Sequence, residues 1–172
     1  ASLARLVGTG EREVERRASD ATAELQRAVG AAGEALQGIA ASALRLTDDA
    51  TTSFTLAQAL VAGPDDRAVI VADAGRPFAW AGRLVTPVDS LPGPVGVVAT
   101  PFYIVAYAVA TEGRRSAVAT VLLHAERPAD RLSRPLDQRV ARATGVTGFA
   151  YGGAGAAASV PGSVVLSLAD EP

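Results

Sequence analysis

The sequence predicts an α+β fold, with a long N-terminal helix packed on a central antiparallel sheet of about five strands and short helices and loops on the other face. Three observations predict it. Between Glu11 and Leu46, the positions Val14, Ala18, Thr22, Leu25, Val29, Ala32, Leu36, Ile39, Ala43 and Leu46 recur in alternating steps of four and three. That is the seam of an amphipathic helix with a coiled-coil-like register. From Arg67 onward the period changes to that of strands. Two long apolar segments, Phe102 to Thr111 and Ala117 to Ala125, flank the turn Glu112-Gly113-Arg114-Arg115 and read as an antiparallel hairpin.

The elements follow in order. Charged residues from Glu11 to Arg17 open the long helix, and the acidic ones suit its dipole. Gly30, Gly33 and Gly38 each cost about 1 kcal/mol relative to Ala in a helix interior. Their clustering therefore predicts either close packing of another backbone or a break in the helix, of which close packing is the favoured reading. Thr47 to Ser53 reads as a polar turn, with Ser53 as N-cap of a short helix from Phe54 to Val61. Gly63-Pro64-Asp65-Asp66 ends that helix, and strands follow at Ala68 to Asp73 and Phe78 to Val85 around the turn Ala74-Gly75-Arg76. Thr86 to Gly96, rich in proline, reads as a loop over one sheet face. After the hairpin come a Pro128 to Pro135 linker, a helix from Leu136 to Ala143, and short strands at Thr147 to Tyr151 and Val164 to Leu168. A small-residue loop from Gly152 to Ser159 separates those two strands. Residues 1–172 thus read as one domain, a stalk helix at 1–46 and a core at 53–172.

The net charge of −2 and pI near 5.4 give no footprint for a phosphate backbone, so no nucleic-acid partner is expected. All sixteen basic residues are Arg, and Cys and Met are absent. Without Cys there are no disulfides, thiol nucleophiles or thiolate metal sites. A chain without Met is expected to be a piece of a longer protein. No segment approaches the roughly 20 apolar residues of a membrane span, so any spans are expected outside this segment.

No catalytic constellation emerges, and no enzymatic activity, metal or cofactor is expected. His124, the only histidine, lies on a predicted strand without the nucleophile and orienting group that a catalytic base requires. The pairs Asp48-Asp49, Asp65-Asp66 and Asp170-Glu171 read as solvated turn or capping residues, and lack the alternate-position spacing of a calcium loop. Gly153-Ala154-Gly155-Ala156-Ala157-Ala158 matches a dinucleotide fingerprint only formally, since Pro161 and Gly162 cut off the helix it needs.

The better constellation is aromatic and cationic. Trp80, Arg83, Tyr103 and Tyr107 fall on what read as neighbouring strands, with Tyr103 and Tyr107 on one face and Trp80 and Arg83 on opposite faces of theirs. An aromatic wall with an arginine suits a small carboxylate or other anion. These four are the candidate ligand-binding residues.

At Arg76-Pro77-Phe78-Ala79-Trp80-Ala81-Gly82-Arg83, preceded by Ala68 to Gly75, the chain resembles the extracytoplasmic Cache (PDC, PAS-like) sensor domains of bacterial membrane histidine kinases. Leu122 to Gly145, with Ala129-Asp130-Arg131-Leu132-Ser133 and Ala143-Thr144-Gly145-Val146, is similar to such kinases too. The resemblance implies a signal-sensing domain outside the cytoplasmic membrane, belonging to a membrane-anchored two-component receptor. It would bind a small ligand or transmit a packing change through the N-terminal helix, and would dimerise through that helix. The alternative is a cytosolic PAS- or GAF-like regulatory module that binds a cofactor or a protein partner.

Overall fold

A computed structural model describes residues 2–47, 49–89, 91–126, 132–152 and 163–167. It is α+β, as the periodicities predict. Contacts divide the chain into two compact units, one of Val29–Leu136 and one of Ala1–Ala28 with Asp137–Pro172. The small-residue loop expected after Gly152 and the segment Ala129-Asp130-Arg131 lie outside the described residues.

Helix α1 runs unbroken over Ser2–Ala43. The predicted seam is the buried side from its middle onward. Leu25, Ala32, Leu36, Ile39, Ala43 and, just past the helix, Leu46 are buried, whereas Val14 near the start is exposed. The three glycines do not serve close packing. Among the described residues, a Cβ at Gly30, Gly33 or Gly38 would meet nothing within 4 Å, so each is an open helix position there.

Helix α2 spans Ala50–Leu60, and its N-cap is Asp49 rather than the expected Ser53. The Asp49 carboxylate accepts the Thr52 N–H at 2.9 Å. That hydrogen bond holds the carboxyl below its ordinary value. Ser53, one turn in, is fully buried and donates its hydroxyl to the Thr47 carbonyl. An acid four residues upstream accepts a first-turn N–H, so the helix starts earlier than the serine would start it.

The larger unit holds an antiparallel sheet of five strands: β1 Arg67–Asp73, β2 Arg76–Gly82, β3 Val95–Ala99, β4 Tyr103–Glu112 and β5 Arg115–Ala125. Their order is β2-β1-β5-β4-β3. The central strands are buried on both faces, so they read as nearly continuous apolar runs. The fifth strand is β3, from a segment expected to be partly loop and partly unassigned. The short C-terminal strands, β6 Gly148–Gly152 and β7 Ser163–Ser167, instead pair with each other in parallel, in a separate two-stranded sheet. Helix α3, Leu136–Thr144, precedes them.

Two local features redirect side chains. Phe78 is the extra residue of a bulge between the Val71–Ala79 and Ala72–Pro77 pairs, and its ring lies 5.3 Å from the Arg115 guanidinium. At Gly82, β2 ends with φ +77° against the β1 backbone. A Cβ there would lie 2.0 Å from the Arg67 carbonyl oxygen. The strand predicted to reach Val85 therefore stops at Gly82, where only glycine fits.

Gly82→Ala is expected to cost at least about 3 kcal/mol, from positive-φ strain and backbone overlap together. Gly38→Ala, which fills open space on a helix, is expected to stabilise by about 0.5–1 kcal/mol; chemical denaturation of both variants checks the pair. The depressed Asp49 carboxyl contributes stability that is fully present above its ordinary value of 3.8 and is lost as pH falls through its lower folded value. Asp49→Asn is therefore expected to flatten that acid loss, measured by thermal unfolding across the acid range.

Candidate functional site

The antiparallel order brings together segments that are distant in sequence. β1 begins, and β2 and β5 end, at one end of the sheet, where Ala68 pairs with Gly82 and Arg67 with Val121. β4 begins at that end as well, with Tyr103 opposite Ala125. The residues 132–135 are tied across this end. The Asp66 N–H donates to the Arg134 carbonyl at 3.0 Å, and the Asp66 carboxylate accepts the Arg134 N–H at 2.8 Å and Nε at 3.2 Å. The Asp66 carbonyl accepts the Leu122 N–H at 2.8 Å.

Arg83 is the predicted site residue that the structure sets most firmly. Its Nη2 donates to Ser133 Oγ at 2.8 Å, and its guanidinium lies 6.0 Å from the centre of the Tyr103 ring. Arg83 and Tyr103 thus come together as a cation over an aromatic face. The turn at Gly82 breaks the alternation that assigned Arg83 its face.

Trp80 and Tyr107 do not join them. Strands β2 and β4 are not neighbours, because β1 and β5 lie between them. That separates their side chains by about 14 Å across the sheet. Trp80 is 56% exposed on the edge strand, opposite Ile70. Tyr107 is a core residue, 1% exposed, with its ring over Gly96 of β3. A Cβ at Gly96 would approach the Tyr107 hydroxyl to 2.7 Å, so the glycine makes room for the ring.

Beside Arg83 opens a cleft of about 670 Å³, lined among others by Gln58, Gly63, Arg67, Arg83, Leu132 and Arg134. Ser133 and Arg134 were not legible as site residues, because nothing local announces pairings across 50 to 68 positions. Asp65 and Asp66 read as a solvated turn pair. Asp65 is instead 2% exposed, and Asp66 is the tie just described.

A second feature links helix and sheet within the larger unit. Arg115 Nη1 donates to the carbonyl oxygens of Leu46 at 2.8 Å and Leu44 at 3.4 Å, just past the end of α1, while stacking on Phe78. One side chain joins the exit of the helix to β5 and β2, a charge placed where helix carbonyls lack partners.

In the smaller unit, the Tyr151 hydroxyl donates to the carboxylate of buried Asp137 at 3.2 Å, and burial pushes the Tyr151 hydroxyl strongly up. Among the described residues, no three acidic or histidine side chains gather as a metal site, and no helix is long and apolar enough to cross a membrane.

No protein-family model, curated protein or solved structure matches the chain.

Tyr107→Ala is expected to cost about 4 kcal/mol as a core truncation. Arg115→Ala is expected to cost about 2 kcal/mol through the carbonyls it leaves unpaired. Denaturant titration of the two variants, each with an unchanged m-value, checks both.

Proposed function

We propose that this chain is the extracytoplasmic signal-sensing domain of a transmembrane two-component receptor, a sensor histidine kinase of the Cache (PDC, PAS-like) kind, without enzymatic activity of its own. The observation that carries the reading is the junction at Arg115, where the exit of an unbroken 42-residue helix is tied to the sheet. A long helix joined to a sheet is suited to convert a change in sheet packing into a displacement of the helix. The residue order Arg76 to Arg83, which carries the resemblance to that family, forms β2 and the turn that sets Arg83.

The proposed sensing site is the cleft end of the sheet, with Arg83 and Tyr103 as contacts and Trp80 and Tyr107 outside it. A ligand there acts only if it binds two arrangements of sheet and helix with different affinity. Homodimerisation belongs to the same proposal. Leu25 and Leu36 are buried within the single chain, which leaves exposed Val14 to mark the part of the seam open to a second copy.

A thermal-shift screen of the purified chain against amino acids, organic acids, amines and nucleotides tests the reading. Binding at a hundredfold excess over the dissociation constant adds about 2.7 kcal/mol of apparent stability. The expected result is at least one such ligand, together with membrane spans flanking this segment in its full-length gene. No ligand and no flanking spans would reject the proposal in favour of a cytosolic regulatory module.

A further inference from the structure

We infer that the outer edge of β3 is an interaction surface for a second copy of this chain, which adds its own β3 in antiparallel register across a twofold axis at Val97. This surface is independent of the sensing reading and of the helix seam.

The backbone decides what can bind there. Val109 donates its N–H to the Pro94 carbonyl at 2.6 Å, and Thr100 donates its N–H to the Tyr103 carbonyl at 2.8 Å. The backbone groups of Pro94 and Thr100 therefore face β4, and the register between them is unbroken. Such groups alternate in direction along a strand, so those of Gly96 and Val98 face β4 as well, while those of Val95, Val97 and Ala99 face outward. β3 is the last strand in the sheet order, and among the described residues no strand takes up this outward row. Only another extended chain satisfies N–H and C=O groups spaced in this way.

The two edges of the sheet differ. β2, at the other edge, carries Arg76 and Pro77, is bulged at Phe78 and has α2 packed against it. These are devices that keep an edge strand from pairing. β3 has none of them. No charged residue occurs from Ser90 to Thr111, and Pro94 and Pro101 flank the strand rather than interrupt it. Val95 is 47% and Val97 39% exposed, although their neighbours on β4, Ala108 and Ala106, are buried. Phe102, 56% exposed in the turn between β3 and β4, extends the apolar edge.

A second copy is the occupant because β3 is complementary to itself. With the axis at Val97, antiparallel pairing sets Val97 opposite the partner's Val97 and Val95 opposite the partner's Ala99. All of these positions face the edge in both copies, so each outward N–H meets an outward C=O. Valine stands against valine or alanine throughout, and both exposed rows are covered without burying a charge. A charged peptide would gain the same backbone bonds and leave its charges against this apolar row.

Single-cysteine variants test the register, because the chain has no cysteine of its own. Opposed residues of such a pair lie about 5.5 Å apart between Cα atoms, within disulfide reach. Val97→Cys is expected to give a disulfide dimer on mild oxidation. Phe54→Cys, exposed on α2 beside the opposite edge strand, is expected to remain uncrosslinked. Adding Val14→Glu to Val97→Cys is expected to leave the disulfide in place, since the helix seam plays no part. Sedimentation of the whole chain is expected to show association that rises with concentration. Val97→Pro removes an outward donor from each copy without touching a β3–β4 bond, and is expected to weaken that association about tenfold or more. If Val97→Pro does not fold, Val97→Lys, which sets like charges face to face at the axis, is expected to weaken it in the same way. Association unchanged in these variants, or no disulfide in Val97→Cys, overturns the inference. So does the absence of association up to about 1 mM. Slow amide exchange at Val97 in the dilute monomer overturns it as well, because the chain's own residues would then cover the edge.

Discussion

The pairing of β1 with both β2 and β5 is the constraint on which the rest of this protein depends. It places the start of one strand beside the ends of two others. Arg67 and Gly82, the two ends of the β1–β2 hairpin, and Tyr103, at the start of the β4–β5 hairpin, converge at that end. Gly82 lets β2 stop hard against the β1 backbone, and the turn that follows delivers Arg83 to Ser133 and Tyr103. The Asp66–Arg134 tie then closes the same end with the segment before α3. The cleft is a product of strand order, and its arginines are held by backbone pairing more than by one another.

Local chemistry was legible and non-local chemistry was not. Seam positions such as Leu25, Leu36 and Ala43 were readable because a helical period is written within a few turns. Strand β3 was not. Val95 to Ala99 is short and lies among Pro92, Pro94 and Pro101, which read as loop; an edge strand tolerates such neighbours because one side of its backbone needs no partner. Val95 and Val97 remain exposed, consistent with that edge position. The glycines of α1 were assigned a packing role they do not have, since their cost is only about 1 kcal/mol each and a long buried seam absorbs it.

The candidate site divides in the same way. Arg83 and Tyr103, two of the four residues singled out, meet in the fold. Trp80 and Tyr107 were grouped with them on the premise that successive strands are neighbours, and the insertion of β1 and β5 between β2 and β4 removes that premise. Arg67 and Arg134 carried no signal, because an arginine becomes a site residue only through what surrounds it. The bulge at Phe78 is a further case. It brings the Phe78 ring to Arg115, and so into the joint between sheet and helix.

Two regions of the larger unit therefore matter together, the cleft where β1 begins and the joint where α1 ends. A sensing function requires that occupying the first alters the second, which is a free-energy coupling and not a matter of proximity. Amide hydrogen exchange on the whole chain measures it most directly, with and without whichever ligand of the thermal-shift screen stabilises the chain most. Added protection at residues 66, 67 and 134 accompanied by a change at residues 42–46 is the predicted result. Protection confined to the cleft, with residues 42–46 unaltered, would contradict the account.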